Sequence, residues 1–269
     1  MYLIEDNKHM ISKNKIKLIH ALESKKYRKI EKLFVAEGHK LVEELLPSFR
    51  CAYIAAKKEW IEKHPVLIKE LRTKHTEINE VNEDELCKAS LLKAPQDILA
   101  LFEIPEDSIS PKKLISDQLC IALDNIQDPG NLGTIIRIAD WFGICHIFCS
   151  PDTADVFNPK TVQATMGALA RVKIHYLPLM ELLSSLEPDT NIYGTFLNGN
   201  NIYEQELSTN GLIIMGNEGN GISPAIENYV NKRLYIPNYP QGRSCVESLN
   251  VAVATSIVCA EFRRRSFRS

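Results

Sequence analysis

Asp128-Pro129-Gly130-Asn131-Leu132-Gly133-Thr134-Ile135-Ile136-Arg137 follows an apolar run, 121–123, and opens a segment of helical apolar spacing. The run has the composition of a buried strand, so the ten residues read as a turn from strand into helix. That turn puts Asn131 at a helix start and Arg137 six positions further on. An arginine inside an otherwise apolar helix is costly to bury without a partner, so Arg137 reads as a residue kept for chemistry or for an anion.

Outward from this turn the pattern repeats. Strands are expected over 119–124, 145–149, 173–176, 191–196, 211–216 and 233–236, and helices over 132–142, 159–169, 179–186, 224–231 and 248–265. Short apolar strands alternating with helices predict an α/β unit, its parallel sheet covered on both faces. Gly143 sits where a helix C-cap is expected, and Ser223-Pro224 suits an N-cap followed by the first helical position. The last helix sets Ala252, Ala254 and Ser256 among Val251, Val253, Ile257 and Val258, a mixture that lets backbones approach closely.

Ahead of it, 11–103 reads as a smaller α/β unit. A basic amphipathic helix is expected over 16–27, strands over 32–36, 51–56, 78–81 and 98–104, and helices over 38–46 and 84–89. The polar, proline-containing stretch around 104–113 is the best linker candidate. The expected boundaries are therefore a front domain over 1–105, a linker over 106–116 and a second domain over 117–269.

With 269 residues, 45% of them hydrophobic and 25% charged, the chain has the material for two ordinary domains. No apolar run reaches the roughly 18 residues of a membrane span, and 1–17 lacks the apolar core of a signal peptide, so a cytoplasmic location is expected. The seven cysteines are scattered and odd in number; no metal site or disulfide is expected. Net charge is −2, yet Lys8, Lys13, Lys15, Lys17, Lys25, Lys26, Arg28, Lys29 and Lys32 crowd one end, and Arg263, Arg264, Arg265 and Arg268 the other. Such clusters either track phosphates or form solvated faces.

Three loops at strand C-termini carry the polar residues: 125–131, 216–221 and 237–247, the last leading into Ser248-Leu249-Asn250. That edge of an open α/β sheet is where ligands bind. Neither a Gly-x-x-x-x-Gly-Lys-Ser/Thr phosphate loop nor a Gly-x-Gly-x-x-Gly after the first strand is present. Gly216-Asn217-Glu218-Gly219-Asn220-Gly221 places a carboxylate just beyond a very apolar strand, which suits a hydroxyl-bearing or cationic ligand.

In this order the three loops resemble the signature of the SpoU (TrmH-like) branch of the SPOUT methyltransferases. Asn125 to Gly143 looks like the family's first motif, Ile213 to Gly221 like the second, and Ile236-Pro237 with Ser248-Leu249-Asn250-Val251-Ala252 like the third. Asn158-Pro159-Lys160 and Thr165-Met166-Gly167-Ala168 are similar to the intervening helix. The front segment, with Val35-Ala36-Glu37-Gly38-His39-Lys40, is more loosely similar to an L30e-like substrate-binding domain. The resemblance implies a 2′-O-ribose methyltransferase acting on RNA with S-adenosylmethionine, ribosomal RNA before transfer RNA. It also implies a parallel sheet threaded into a trefoil knot, and a homodimer. By motif, Asn131, Arg137, Glu218, Ser248 and Asn250 match active-site positions, and Gly216, Ile236 and Leu249 match positions that hold the cofactor. The stretch 238–245 departs from the family by being longer and more polar than the usual link, and Arg243 there could add an RNA contact.

A guanidinium is not readily deprotonated, so Arg137 is expected to clamp a phosphate and stabilise charge growing on the ribose oxygen, not to act as a base. Asn131 would orient the ribose, and Ser248 and Asn250 would fix Arg137 and the cofactor carboxylate. Plainer roles stand beside these: Asn131 or Ser248 as an N-cap, Glu218 as an acceptor for backbone N–H groups, Arg137 in a structural salt bridge. A base-modifying relative and a non-catalytic RNA-binding protein on the same fold are the alternatives for the whole chain.

Overall fold

The computed structural model describes residues 11–106, 109–240 and 248–266. The expectations placed on Lys8, Arg243, Cys245, Arg268 and the stretch 241–247 lie outside the described residues, as do positions 107 and 108 of the expected linker. Two compact units divide the chain. One runs to Glu106 and takes in Phe157–Ala170; the other holds the remainder.

The first unit is built on four strands, β1 (Leu33–Glu37), β2 (Cys51–Ala56), β3 (Glu77–Glu80) and β4 (Ile98–Glu103), in the order β1-β4-β2-β3. β4 runs antiparallel to both β1 and β2, and β3 pairs with β2 in parallel. Val35, Tyr53, Ala55, Leu99 and Leu101 pack against Ile19, Leu22 and Leu86 from the helices. Phe157 completes an aromatic group here, 4.8 Å from Phe34, which stacks on Phe102 at 5.5 Å. The helix expected over 16–27 is two helices, Lys13–Ala21 and Lys25–Glu31. Extended backbone at Ser24 breaks the run, and Arg28 takes up the carbonyls left at the first helix's end. Helices Lys58–Lys63 and Pro65–Thr73 escape the sequence pattern because few apolar residues, Trp60, Ile68 and Leu71, are buried between many charges. The helix expected over 159–169 stops at Thr165, because Met166 and Gly167 turn to φ +49° and +93°. A Cβ on Gly167 would lie 2.7 Å from Glu44 Cβ, so glycine is required there twice over.

The second unit carries β5 (Leu119–Leu123), β6 (His146–Cys149), β7 (Lys173–Tyr176), β8 (Ile192–Asn201), β9 (Gly211–Met215) and β10 (Lys232–Tyr235), ordered β10-β8-β9-β5-β6-β7. Every neighbouring pair is parallel. β5 and β9 lie at the centre and are buried along their whole length, which is why they read as unbroken apolar runs. The α/β parallel-sheet class is as expected. Helices Pro129–Trp141 and Val251–Ser266 pack on each other, and Leu132, Ile135, Ile136 and Ala139 form the buried stripe of the first. Gly143 follows that helix at φ +63°. The stretch expected as linker holds a helix, Pro111–Asp117, with Ile115 buried. β8 continues to Asn201, five residues beyond its expected end, and pairs there with β10 after a register shift between Arg233 and Leu234. The C-terminal segment, which the resemblance threads into a trefoil knot, includes 241–247, outside the described residues. Among the described residues no helix is long and apolar enough to cross a membrane, and no group of three or more His, Cys, Asp or Glu could hold a metal.

Candidate active site

β5 and β9 end side by side, with Leu123 paired to Met215, so the loops that follow them leave from one edge of the sheet. The buried Asp124 carboxylate ties them together by accepting from the Ser223 N–H at 2.7 Å. Asn125 adopts φ +60°, a left-handed conformation that asparagine tolerates, and its carbonyl accepts from Asn217 Nδ2 at 2.8 Å. Asn217 Oδ1 accepts in turn from the N–H groups of Gly219 (2.9 Å) and Asn220 (3.1 Å). The loop doubles back so tightly that a Cβ on Gly216 would sit 2.2 Å from the Gly221 carbonyl carbon.

On the facing loop Asp128 is the N-cap of the Pro129 helix, accepting from the Asn131 N–H at 2.8 Å. The Asn131 side chain is thereby free of any capping duty. Its Nδ2 donates to Glu218 Oε1 at 2.9 Å, and its Oδ1 accepts from Asn250 Nδ2 at 3.0 Å. Asn250 is itself the cap of the Val251 helix: its Oδ1 accepts from Ala252 N at 3.0 Å and Val253 N at 3.3 Å. Three side chains from three distant stretches form one chain, Glu218–Asn131–Asn250.

A cavity of about 450 Å³ opens beside Glu218, within the range of small-molecule sites. Thr195, Leu197, Tyr235, Ile236 and Leu249 contribute to its wall, with Gly216 and Ser248. Five of the residues singled out in the sequence therefore share one cavity: Gly216, Glu218, Ile236, Ser248 and Leu249. Asn131 and Asn250 join it through Glu218.

Arg137 departs from the reading that drew attention to it. Arg137 is exposed on the Pro129 helix, so no burial cost has to be offset, and its side chain makes no hydrogen bond or salt bridge among the described residues. Asn250, expected to fix Arg137, is committed to Asn131 and to its own helix. The plainer roles are redistributed as well. Asp128 caps where Asn131 was considered, Asn250 caps where Ser248 was, and Asn217 satisfies the backbone N–H groups that Glu218 was considered for. Asp124, Asn125 and Asn217 escaped the sequence reading although they shape both loops. Asn125 and Asn217 flank the strands' ends, where a residue tolerant of left-handed backbone is the one legible clue.

Over residues 118–260 the chain matches the SpoU rRNA Methylase family, and over 13–100 the MRM3-like substrate binding domain. It is 33% identical over 251 residues to the 23S rRNA (guanosine(2553)-2′-O)-methyltransferase RlmP of Bacillus subtilis, covering 93% of this chain and 96% of that protein. A solved structure assigned as an RNA methyltransferase of the TrmH family from Porphyromonas gingivalis is 39% identical, with a TM-score of 0.81, covering 96% of this chain and 100% of that one. An AdoMet-bound rRNA methyltransferase from Sinorhizobium meliloti superposes with a TM-score of 0.80 at 28% identity, covering 93% and 94% of the two chains.

Proposed function

The chain belongs to the SpoU rRNA methylase family, and on that premise we propose that it uses S-adenosylmethionine to methylate a ribose 2′-hydroxyl of ribosomal RNA. The observation that carries this reading is the Glu218–Asn131–Asn250 chain beside a cavity of about 450 Å³. The cavity suits the cofactor: Ile236 and Leu249 offer apolar contact for an adenine, the tight 216–221 loop offers backbone groups, and Glu218 and Ser248 offer polar ones. When bound, S-adenosylmethionine supplies an electrophilic methyl on a sulfonium whose charge fades during transfer.

The chain's own residues then have to align the ribose and manage charge on its oxygen. Alignment is the larger part, because in-line geometry is what positioned groups supply. Asn131, held at both ends, is the orienting group, and Glu218 and Asn250 are the residues that hold it. In this reading the Arg137 guanidinium clamps a neighbouring phosphate and stabilises negative charge on the attacking oxygen. Ser248 contributes a hydroxyl at the cavity wall.

The reading includes a homodimer. Trp141 is 85% exposed at the end of the Pro129 helix and Val253 is 49% exposed on the Val251 helix, apolar surface that a second copy would cover. A solution mass of twice 30.5 kDa supports this, and a single-chain mass contradicts it.

The test is transfer of a labelled methyl group to ribosomal RNA followed by alkaline digestion. A 2′-O-methyl removes the hydroxyl that alkali uses to cleave the chain, so label is expected in alkali-resistant dinucleotides. Label in mononucleotides would mean base methylation and would overturn the reading, as would no transfer at all.

A further inference from the structure

The first unit contains a helix that buries almost nothing of its own. Of the seven residues of Lys25–Glu31 only Arg28 is buried. A helix this short does not hold itself together in water. Its anchor is a cation: Arg28 Nη1 donates to the Leu22 carbonyl at 2.6 Å and to the Glu23 carbonyl at 2.8 Å, at the end of the preceding helix. The guanidinium thus fixes the corner between two helices and turns the rest of the second helix outward.

What faces outward is Lys25, Lys26 and Lys29, with Tyr27 at 45% and Ile30 at 60% exposure. Between positions 25 and 32, Glu31 is the one carboxylate against four lysines and Arg28. Among the described residues the side chains of Lys25, Lys26 and Lys29 make no intramolecular hydrogen bond or ion pair. Crowded, unneutralised cations repel one another, and the repulsion is relieved when a polyanion takes their place opposite. An exposed aromatic ring among lysines adds a stacking surface for an unpaired base. Neither the repulsion nor the exposed ring helps this unit to fold.

We infer that the outward face of the Lys25–Glu31 helix is an RNA-contact surface, with Lys25, Lys26 and Lys29 against phosphates and Tyr27 stacked on an unpaired base. The inference rests on the ribosomal-RNA reading above and assigns it a surface apart from the cavity. Alanine is the best helix former, so replacing exposed lysines leaves this helix at least as well formed.

The experiment compares the full chain with its Lys25→Ala/Lys26→Ala/Lys29→Ala variant, using ribosomal RNA from cells lacking the protein. Each phosphate contact removed should make the dependence of log affinity on log salt shallower by about 1, so the triple variant should lose about 3. Its KM for RNA should rise at least tenfold, while kcat at saturating RNA and affinity for S-adenosylmethionine hold. Arginine at the three positions should restore binding. Tyr27→Ala should weaken binding about tenfold and Tyr27→Phe should not, because stacking needs the ring and not the hydroxyl. A triple variant with the unaltered salt slope and KM would overturn the inference. So would a variant that binds naked RNA normally but loses affinity for assembled ribosomal subunits, which would assign the helix to a protein partner. If the unaltered protein binds ribosomal RNA through this helix yet transfers no methyl to it, the surface stands and the proposed function fails.

Discussion

Asn131 donates a hydrogen bond to Glu218 at 2.9 Å across a sequence separation of 87. The bond joins the turn that opens the Pro129 helix to the loop after β9, and it is possible because Asp128, three residues earlier, takes over the capping of that helix. Released from capping, the Asn131 side chain is held from both sides, by Glu218 and by Asn250.

The two neighbouring residues should therefore separate stability from turnover. Asp128→Ala removes an N-cap and is expected to cost about 1 kcal/mol of stability, with kcat within a few-fold of the unaltered enzyme. Asn131→Ala leaves the cap intact and is expected to lower kcat by about 100-fold or more with little change in melting temperature. Denaturation midpoints and single-turnover rates on both variants check this. A stable Asn131→Ala enzyme of normal rate would remove Asn131 from the site.

Asn250 does two things at once, capping the Val251 helix and donating to Asn131. Asn250→Asp keeps an oxygen for the helix N–H groups and loses the amide donor that reaches Asn131. It is expected to retain stability and lose activity, whereas Asn250→Ala loses both, with about 1 kcal/mol from the cap. Thermal melts paired with methyl-transfer rates distinguish the two variants. Equal activity in Asn250→Asp and the unaltered enzyme would show that the Asn250–Asn131 bond is dispensable.

Arg137 is exposed and its side chain makes no hydrogen bond or ion pair among the described residues, so its loss should be invisible to stability. Arg137→Ala is expected to stay within about 0.5 kcal/mol in a denaturant titration while turnover falls by about 100-fold. Arg137→Lys keeps the charge without the planar fork and should recover only part of the rate. A destabilised Arg137→Ala protein would instead point to a structural role.

The parallel sheet was legible because β5 and β9, buried on both faces, are written as continuous apolar runs. Five cavity residues were legible because they stand in the second and third of the three ordered motifs. The sharing of work among neighbours was not. Whether Asp128 or Asn131 caps a helix depends on which side chain meets a backbone N–H, and composition at a helix start favours both. Asn217 was passed over for Glu218 because a carboxylate looks like chemistry, although it is the amide that folds the loop. Arg137 was singled out on a supposed burial that its exposed position removes. The corner at Ser24 was missed because Ala21, Leu22 and Glu23 before it and Lys25 and Lys26 after it all favour helix.

Glu37 gives the first unit a pH signature. Its carboxylate is buried, and burial raises its pKa above the ordinary carboxylate value more than the bonds from Ser90 Oγ and Leu91 N lower it. Between the ordinary value and the raised one the native state holds a proton that the unfolded state has released, so stability falls as pH rises through that window. The stability of the unaltered protein relative to Glu37→Gln should accordingly decline from the ordinary glutamate pKa upward. Chemical denaturation of both proteins from acid to neutral pH measures it; a relative stability that rises over the window would contradict the assignment.

Nucleoside mass spectrometry of ribosomal RNA from cells with and without the protein tests ribose methylation most directly. Loss of one 2′-O-methylated nucleoside from ribosomal RNA when the protein is absent, and its return with the unaltered protein but not with Asn131→Ala, is the result predicted. An unchanged 2′-O-methyl profile under conditions where the protein is made, or the loss of a base-methylated nucleoside instead, would contradict it.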